Sequence, residues 1–405
     1  MLYQSFSESA LKRTLRPSDF FGDGSFRTID DLEPVVSRAV DIANSESPSF
    51  SSLRRITIRR KPALKVGALH DEIILRKLND TLKRVFKTKQ ANRDYICRNT
   101  KSLLDETLRY AVIKCDISEF FESIPRDQLE AKVLQNRIFS PETKRVFSSL
   151  FSANDIKNRS GLPRGLSISG TLAEKYLEDF DKTIKRIPQV YFYARFVDDI
   201  IIFVSSDEFA VLDKVRTRLH KLSLSINEGK TAIYANEKEG DIEGRHTKIP
   251  DFEFLGYHFE KQGFQKRASV SIAESKLKKI KSRIVHTFID YAEKGDPKLL
   301  EDRVKFLTGN YFILHHSAST PLRAGIFYAY PLATDSGDQL KQLDQFLKAQ
   351  IFAGKNIPMR RGRPLLEGLK EQLGKYSFRA GYEDRKLANF SQNRIAEIKL
   401  AWRNV

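Results

Sequence analysis

Cysteine is scarce: Cys97 and Cys115 are the only two in 405 residues. Two cysteines cannot build a disulfide framework or a cysteine-based zinc site. A reducing cytoplasm is therefore the expected compartment. Long apolar runs are also missing, and none approaches the roughly 18 residues of a membrane span. Residues 1–18 hold no apolar core of a secretory leader, so neither membrane insertion nor export is expected. Repeats and low-complexity linkers are absent too. The seven histidines are scattered. His315 and His316 are adjacent, cannot share a helix face, and are expected to be structural.

Positive charge is what the chain has in excess. Lysine and arginine number 70 against 52 acids, for a net charge of +18 and a pI near 9.6. A polyphosphate partner is the direct reading of such an excess. A membrane surface is the competing one, but the bases are spread over several segments rather than gathered on one amphipathic helix. The first 50 residues carry eight acids against five bases, whereas residues 51–109 carry sixteen bases against six acids. With 40% hydrophobic and 11% aromatic residues, the chain is long enough for two or three subdomains and a sizeable core.

The most informative stretch is 191–204, YFYARFVDDIIIFV. Its flanks, 191–196 and 200–204, read as two short strands, with Asp198 and Asp199 at the turn between them. Aspartate is a common turn residue, so a solvated turn is the plain alternative. A partner upstream shifts the balance. Residues 110–121, YAVIKCDISEFF, read as an apolar strand ending in Asp116. A strand-end carboxylate far upstream of a carboxylate hairpin is what two-metal phosphoryl transfer requires, with ions roughly 3.5–4 Å apart. Asp116, Asp198 and Asp199 are the expected metal and catalytic set, with Ile117 among the metal contacts. Magnesium, a hard cation that takes oxygen ligands, is the expected ion, two per site, with manganese as a substitute.

These two stretches resemble motifs A and C of reverse transcriptases. Residues 161–170 (GLPRGLSISG) resemble motif B of that family, 222–231 (LSLSINEGKT) motif D, and 254–257 (FLGY) motif E, the primer grip. Single matches to such short strings are weak, but all five occur in family order. The resemblance implies an α+β, right-hand polymerase fold: an N-terminal extension (1–50), basic fingers (51–109), a palm (110–265, with 126–160 as an insertion) and a helical thumb with the C-terminal region (266–405). It implies RNA-directed DNA synthesis from deoxynucleoside triphosphates, with an RNA template and a DNA product.

Site residues follow motif by motif. Residues 54–66 (RRITIRRKPALKV) read as a strand pair ended by Pro62. The family uses fingers bases on the incoming triphosphate, so Arg54, Arg55, Arg59, Arg60 and Lys61 form a pool from which spacing cannot choose, Arg59 and Arg60 included in the substrate set. A solvated basic edge is the alternative. Residues 69–106 are helical by pattern. Within them, FKTKQANRDYI resembles the family's basic stretch before motif A, which implies that Lys87, Lys89 and Arg93 face template phosphates. Phe121 occupies the family's steric-gate position, where a bulky ring excludes a ribose 2′-hydroxyl. Phe120 and Phe121 are read as consecutive strand residues, so at most one of them is the gate. Gly165 and Gly170 would let backbone approach base and sugar.

One departure stands out: many reverse transcriptases carry Gln where this chain has Arg164. Arg164 could hydrogen-bond primer or triphosphate, but with a fixed charge and a fork geometry. Lys230 in motif D would protonate the leaving pyrophosphate, or merely bind phosphate. Phe254 and Gly256 belong to the primer grip. Lys276 and Lys279, with Lys278, Lys281 and Arg283, lie on an expected thumb helix. Arg361 and Arg363 sit in RGRP, the core of an AT-hook, though a backbone-contacting loop fits the segment better. No second acidic cluster of the ribonuclease H type is present.

The opening MLYQSFSESALKRTL resembles one group of defence-associated bacterial reverse transcriptases, the smaller polymerase of the type 3 system. This implies an anti-phage setting, a structured noncoding RNA and a second, larger reverse transcriptase as partners. Other readings stay open: a retron or group II intron enzyme, or a non-catalytic RNA-binding scaffold with a polymerase fold. Oligomerisation also stays open.

Overall fold

The protein is described by a computed structural model, which covers residues 3–16, 19, 30–50, 53–58, 61–157, 160–236, 241–242, 245–246, 249–261, 266–313, 321–354 and 356–402. Arg59, Arg60, His315 and His316 lie outside the described residues. The chain divides into two units. One comprises 1–15, 26–96 and 106–249; the other comprises 16–25, 97–105 and 250–405.

In the first unit the N-terminal segment is part of the core. Leu11, in the short helix α1 (Glu8–Lys12), is fully buried, as is Phe6 just before it. Helix α2 (Glu33–Asn44) has Pro34 in its first turn, which its fixed φ suits, and buries Val36, Ala39 and Ala43 along one stripe. Strands β1 (Leu53–Ile58) and β2 (Lys61–Val66) pair antiparallel. Here the expected role of Pro62 is corrected: it does not end the ribbon but sits inside β2, opposite Thr57. A two-stranded ribbon has an open edge on each side, so a residue without an N–H is tolerated there.

The helical pattern over 69–106 resolves into two helices, α3 (Leu69–Phe86) and α4 (Arg93–Leu104). Lys87 turns left-handed (φ 52°) and ends α3, while the Thr88 N–H bonds the Lys83 carbonyl. Strand β3 (Ala111–Asp116) follows, then helices α5 (Phe120–Ser123), α6 (Arg126–Leu134) and α7 (Pro141–Ser152). The Ser140 side chain caps α7 by accepting from the Thr143 N–H. Helix α8 (Ser167–Lys185) leads into the hairpin β4 (Val190–Phe196) and β5 (Asp199–Val204), then helix α9 (Glu208–His220) and strand β6 (Ala232–Ala235).

The sheet runs β4–β5–β3–β6, antiparallel throughout. Central β5 is apolar on both faces, as a strand buried on both sides must be. Ile200, Ile202 and Val204 join the core that includes Leu172, Tyr176 and Leu177 of α8 and Val211 and Val215 of α9. On the opposite face the Phe203 ring contacts Tyr110 and Phe192. Each such side chain contributes about 1.5–3 kcal/mol on burial. The rigid middle of this sheet carries the motif A and motif C strands.

The second unit begins with a sheet of β7 (Asp251–Phe254), β8 (Tyr257–Glu260) and β9 (Ser269–Ile272), with β8 in the middle. Helices α10 (Glu274–Lys294) and α11 (Pro297–Thr308) pack through Ile284, Phe288, Val304 and Leu307. The lysines expected on a helix at 276–283 lie in α10. A further helix α12 (Gly337–Phe352) contains the periodic stretch 340–351. This unit is not helical throughout: strands Asn310–Ile313, Leu322–Gly325 and Leu387–Ala388 form a small sheet that periodicity did not reveal, each being too short to show alternation. Among the described residues no helix is long and apolar enough to cross a membrane.

Candidate active site

Asp116 ends β3 and Asp199 begins β5, and the antiparallel register pairs them directly across the sheet. Asp198 occupies the two-residue turn of the β4–β5 hairpin, one step before Asp199. Sequence-distant carboxylates are thus brought together by strand pairing alone. The turn is unusual at Val197, whose φ is +61°. A positive φ at the first turn position is the II′ pattern, where glycine is preferred, and a β-branched side chain is strained there.

Two hydrogen bonds hold the turn. The Ile117 N–H donates to the Asp198 carbonyl at 3.0 Å. Arg195 Nη1 donates to the Val197 carbonyl, also at 3.0 Å. Arg195 itself is buried between two carboxylates of α8, at 2.7 Å from Glu174 and 2.7 Å from Asp181. The carboxylate turn is therefore tied to the motif B helix by one guanidinium.

Burial pushes the Asp198 carboxyl up, and the Asp116 charge adds to it. Asp199 is raised to about 6, by burial first and then by Asp198 and Asp116. Clustered carboxylates raise each other's pKa in this way when no cation balances them. Lys230 supplies one positive charge: its Nζ donates to Asp116 Oδ2 at 3.1 Å. It reaches that point from the turn Glu228–Lys230, which the Arg216–Glu228 ion pair steadies and whose preceding Asn227 N–H bonds the Asp116 carbonyl.

Among the described residues no group of three or more His, Cys, Asp and Glu is drawn together as a metal cage. The donor chemistry still fits magnesium. The carboxylates are hard oxygen donors, and a divalent cation would relieve the repulsion that raises Asp198 and Asp199.

Motif B reaches the same region through its loop. The Leu162 N–H donates to the Phe121 carbonyl at 2.7 Å. Gly161 (φ +74°) lies so close to motif A that an added Cβ would stand 2.2 Å from the Glu122 carbonyl oxygen. Gly165 (φ +95°) is equally crowded, but by the Leu64 carbonyl of β2, so its nearest constraint is the β1–β2 ribbon. Gly170 has no neighbour within 4 Å of an added Cβ, and opens onto a cavity of about 150 Å³ that Phe121, Thr171, Glu174 and Val197 also line. Phe120 is buried (2% exposed) and Phe121 is half-buried. The expectation that these two are strand residues is corrected: β3 ends at Asp116, and both belong to α5. Their different exposure comes from helical geometry; both rings line the cavity, and Phe121 is the more exposed of the two.

The remaining expected residues are placed as follows. Lys87 and Lys89 are exposed beside the end of α3, and Arg93 opens α4 next to Asp94. Arg54, Arg55 and Lys61 are exposed on the ribbon, with Arg55 3.6 Å from Asp155. In the second unit Phe254 is buried (2% exposed) and its side chain supports the hairpin, while the Leu255–Gly256 turn beside it has positive φ (48° and 86°). Lys276 and Lys279 lie on the first turns of α10. Arg361 pairs with Glu293 at 2.9 Å, and Arg363 packs against Gly295 at the end of α10. A helical turn, Ile357–Arg360, and Gly362 (φ +75°) give this segment a folded shape rather than the extended one of a minor-groove hook.

Sequence reading missed Arg195, Glu174, Asp181 and Glu122. A charge within the apolar run of β4, and two acids seven residues apart on one helix face, were the available signals.

Comparison with known proteins adds the family. Residues 67–259 match the family described as reverse transcriptase (RNA-dependent DNA polymerase). No curated protein matches. Among solved structures, apo telomerase from Candida tropicalis, truncated from its C-terminal domain, is similar at 12% identity and a TM-score of 0.38. That match covers 56% of this chain and 56% of the telomerase chain, little more than half of either. Residues 67–259, which hold all five motifs from A to E, therefore carry the reverse transcriptase match, on an α+β polymerase fold.

Proposed function

We propose that the chain synthesises DNA on an RNA template, adding deoxynucleotides to a 3′-hydroxyl. The observation that carries this reading is the register of β3 against β5, which sets Asp116 opposite Asp199 with Asp198 in the adjoining turn. Asp116, Asp198 and Asp199, with the backbone of Ile117, would hold magnesium, which lowers the barrier by activating the attacking hydroxyl and neutralising the triphosphate. The protein's own groups do the rest. Phe121 bounds the sugar pocket and leaves no room for a ribose 2′-hydroxyl. Lys230, held beside Asp116 by the motif D turn, donates its Nζ proton to the departing pyrophosphate. The exposed bases at Lys87 and Lys89, and the α10 lysines at 276 and 279, take template and product phosphates without reading sequence.

The setting proposed is anti-phage defence in the cytoplasm, with a structured noncoding RNA and a second reverse transcriptase as partners. The opening 15 residues and the basic excess support it. Replacing Asp198 by Ala should abolish deoxynucleotide incorporation on a primed RNA while RNA binding persists. Normal incorporation by a folded Asp198→Ala protein would sink the polymerase reading. Sequencing of RNA that co-purifies with the protein tests the partner: one enriched, folded species is expected, and a random sample of cellular RNA would remove the dedicated-RNA part.

A further inference from the structure

We infer that Glu122 and Arg164 form a lock that sets the Phe121 ring, and that this pair determines how strongly the site prefers deoxyribose over ribose. The inference rests on the polymerase reading for what the pocket holds, and on geometry for the lock itself.

Arg164 stands where the wider family often has glutamine. Its guanidinium is engaged within the loop: Nε donates to Glu122 Oε1 at 3.0 Å and Nη2 to Glu122 Oε2 at 3.2 Å. This is the two-point fork geometry that arginine favours with carboxylates. The same guanidinium lies 5.3 Å from the centre of the Phe121 ring, within cation–π range. The Phe121 ring also meets Phe120 edge-on at 5.1 Å, and Phe120 is buried. The ring thus contacts both a buried aromatic and a charge whose position Glu122 fixes.

The backbone beneath is equally constrained. The Leu162 N–H bonds the Phe121 carbonyl, and the Leu64 N–H bonds the Arg164 carbonyl at 2.8 Å. The motif B loop is therefore pinned to motif A on one side and to the fingers ribbon on the other. A side chain committed in this way positions Phe121 instead of reaching for the triphosphate. An unlocked ring can tilt, and a small tilt is enough to admit one hydroxyl. Glutamine is neutral at that position and could not form the ion pair.

The test compares wild type with Phe121→Ala, Glu122→Gln, Arg164→Gln and the double reversal Glu122→Arg/Arg164→Glu. Use of dATP and ATP is measured on one RNA template as kcat/KM for each. Equilibrium binding of the same two nucleotides is measured in calcium, so that a second readout does not require turnover. Glu122→Gln and Arg164→Gln should each lower the preference for dATP about ten-fold. Neither should add much to Phe121→Ala, because ring and lock act as a unit. The double reversal should restore part of the preference. An unchanged preference in both single variants, with Phe121→Ala lowering it, overturns the lock. So does a KM that rises equally for both nucleotides, which would make Arg164 a triphosphate ligand. If Arg164→Gln does not fold, Glu122→Gln alone decides, since it leaves the backbone bonds of the loop intact. If wild type incorporates nothing, the polymerase reading fails by itself, and the binding preference still decides the lock: it stands if wild type binds dATP more tightly and Glu122→Gln does not, and falls otherwise.

Discussion

At the scale of single residues, two glycines of the same loop and helix separate fold from site. Gly161 has a left-handed φ and no room for a Cβ against the Glu122 carbonyl. Gly161→Ala should therefore destabilise the protein by at least about 1–3 kcal/mol, read from urea unfolding. Gly170 lies within α8 with open space around it. Gly170→Ala should raise stability by about 0.5–1 kcal/mol, since glycine weakens a helix interior, yet lower nucleotide incorporation because it adds bulk to the lining of the cavity shared with Phe121. Loss of stability in Gly170→Ala, or gain in Gly161→Ala, would contradict this division between the two glycines. Val197 belongs at the same scale: its strained φ (+61°) stands one residue before Asp198, the aspartate proposed to hold metal, where a relaxed turn would aim the carboxylate differently.

At the scale of elements, Arg195 links the β4–β5 turn to α8. Removing a buried guanidinium with two carboxylate partners is costly, because both acids are left uncompensated. Arg195→Leu should cost about 3–5 kcal/mol in an unfolding experiment. Arg195→Lys retains the charge but loses the fork. It should stay folded and lower kcat more than it raises KM, since the turn that aims Asp198 is loosened while the nucleotide pocket remains. An Arg195→Lys enzyme with wild-type kcat would remove the positioning role.

The elements themselves were largely legible: the aromatic and β-branched run of 191–204, interrupted by two aspartates, marked the hairpin, and the three- and four-residue steps of 73–85 marked α3. What was not legible depends on partners across the fold. Nothing local to Glu122 announces Arg164, and nothing around Phe254 distinguishes a buried ring from one offered to nucleic acid. The break at Lys87 was hidden because lysine is an ordinary helix residue, and only the left-handed backbone there ends the helix.

At the scale of the whole molecule, charge acts in two places. Inside the second unit, Arg303 is almost wholly buried (1% exposed side chain) and pairs with Asp290. Burial pushes the Asp290 carboxyl up, but hydrogen bonds from Arg303 and Lys294 outweigh it and hold its pKa below the ordinary carboxylate value. A depressed carboxyl stabilises the fold above the ordinary carboxylate range, and that contribution is lost as acidification passes through its folded pKa. Asp290→Asn should cost about 3–5 kcal/mol near neutrality and flatten the acid side of the stability profile; an unaltered acid limb would assign that limb to other groups. Outside, the net charge of +18 predicts steep salt dependence. Lys87→Glu with Lys89→Glu should reduce the log–log slope of single-stranded RNA binding by about 0.7 for each phosphate no longer neutralised, and an unchanged slope would take both lysines off the RNA.

The sheet order has a consequence for how the protein is made. Strand β3 finds its neighbours only in β5 and β6, which the ribosome delivers much later. At a synthesis rate of ~5–20 residues per second, the apolar run of β3 waits several seconds before either partner emerges. During that interval a nascent chain exposes an unpaired strand on both edges, the state most open to sticking to its neighbours. Slower synthesis across residues 117–199 should therefore lower the yield of folded protein, by lengthening the time β3 stays unpaired.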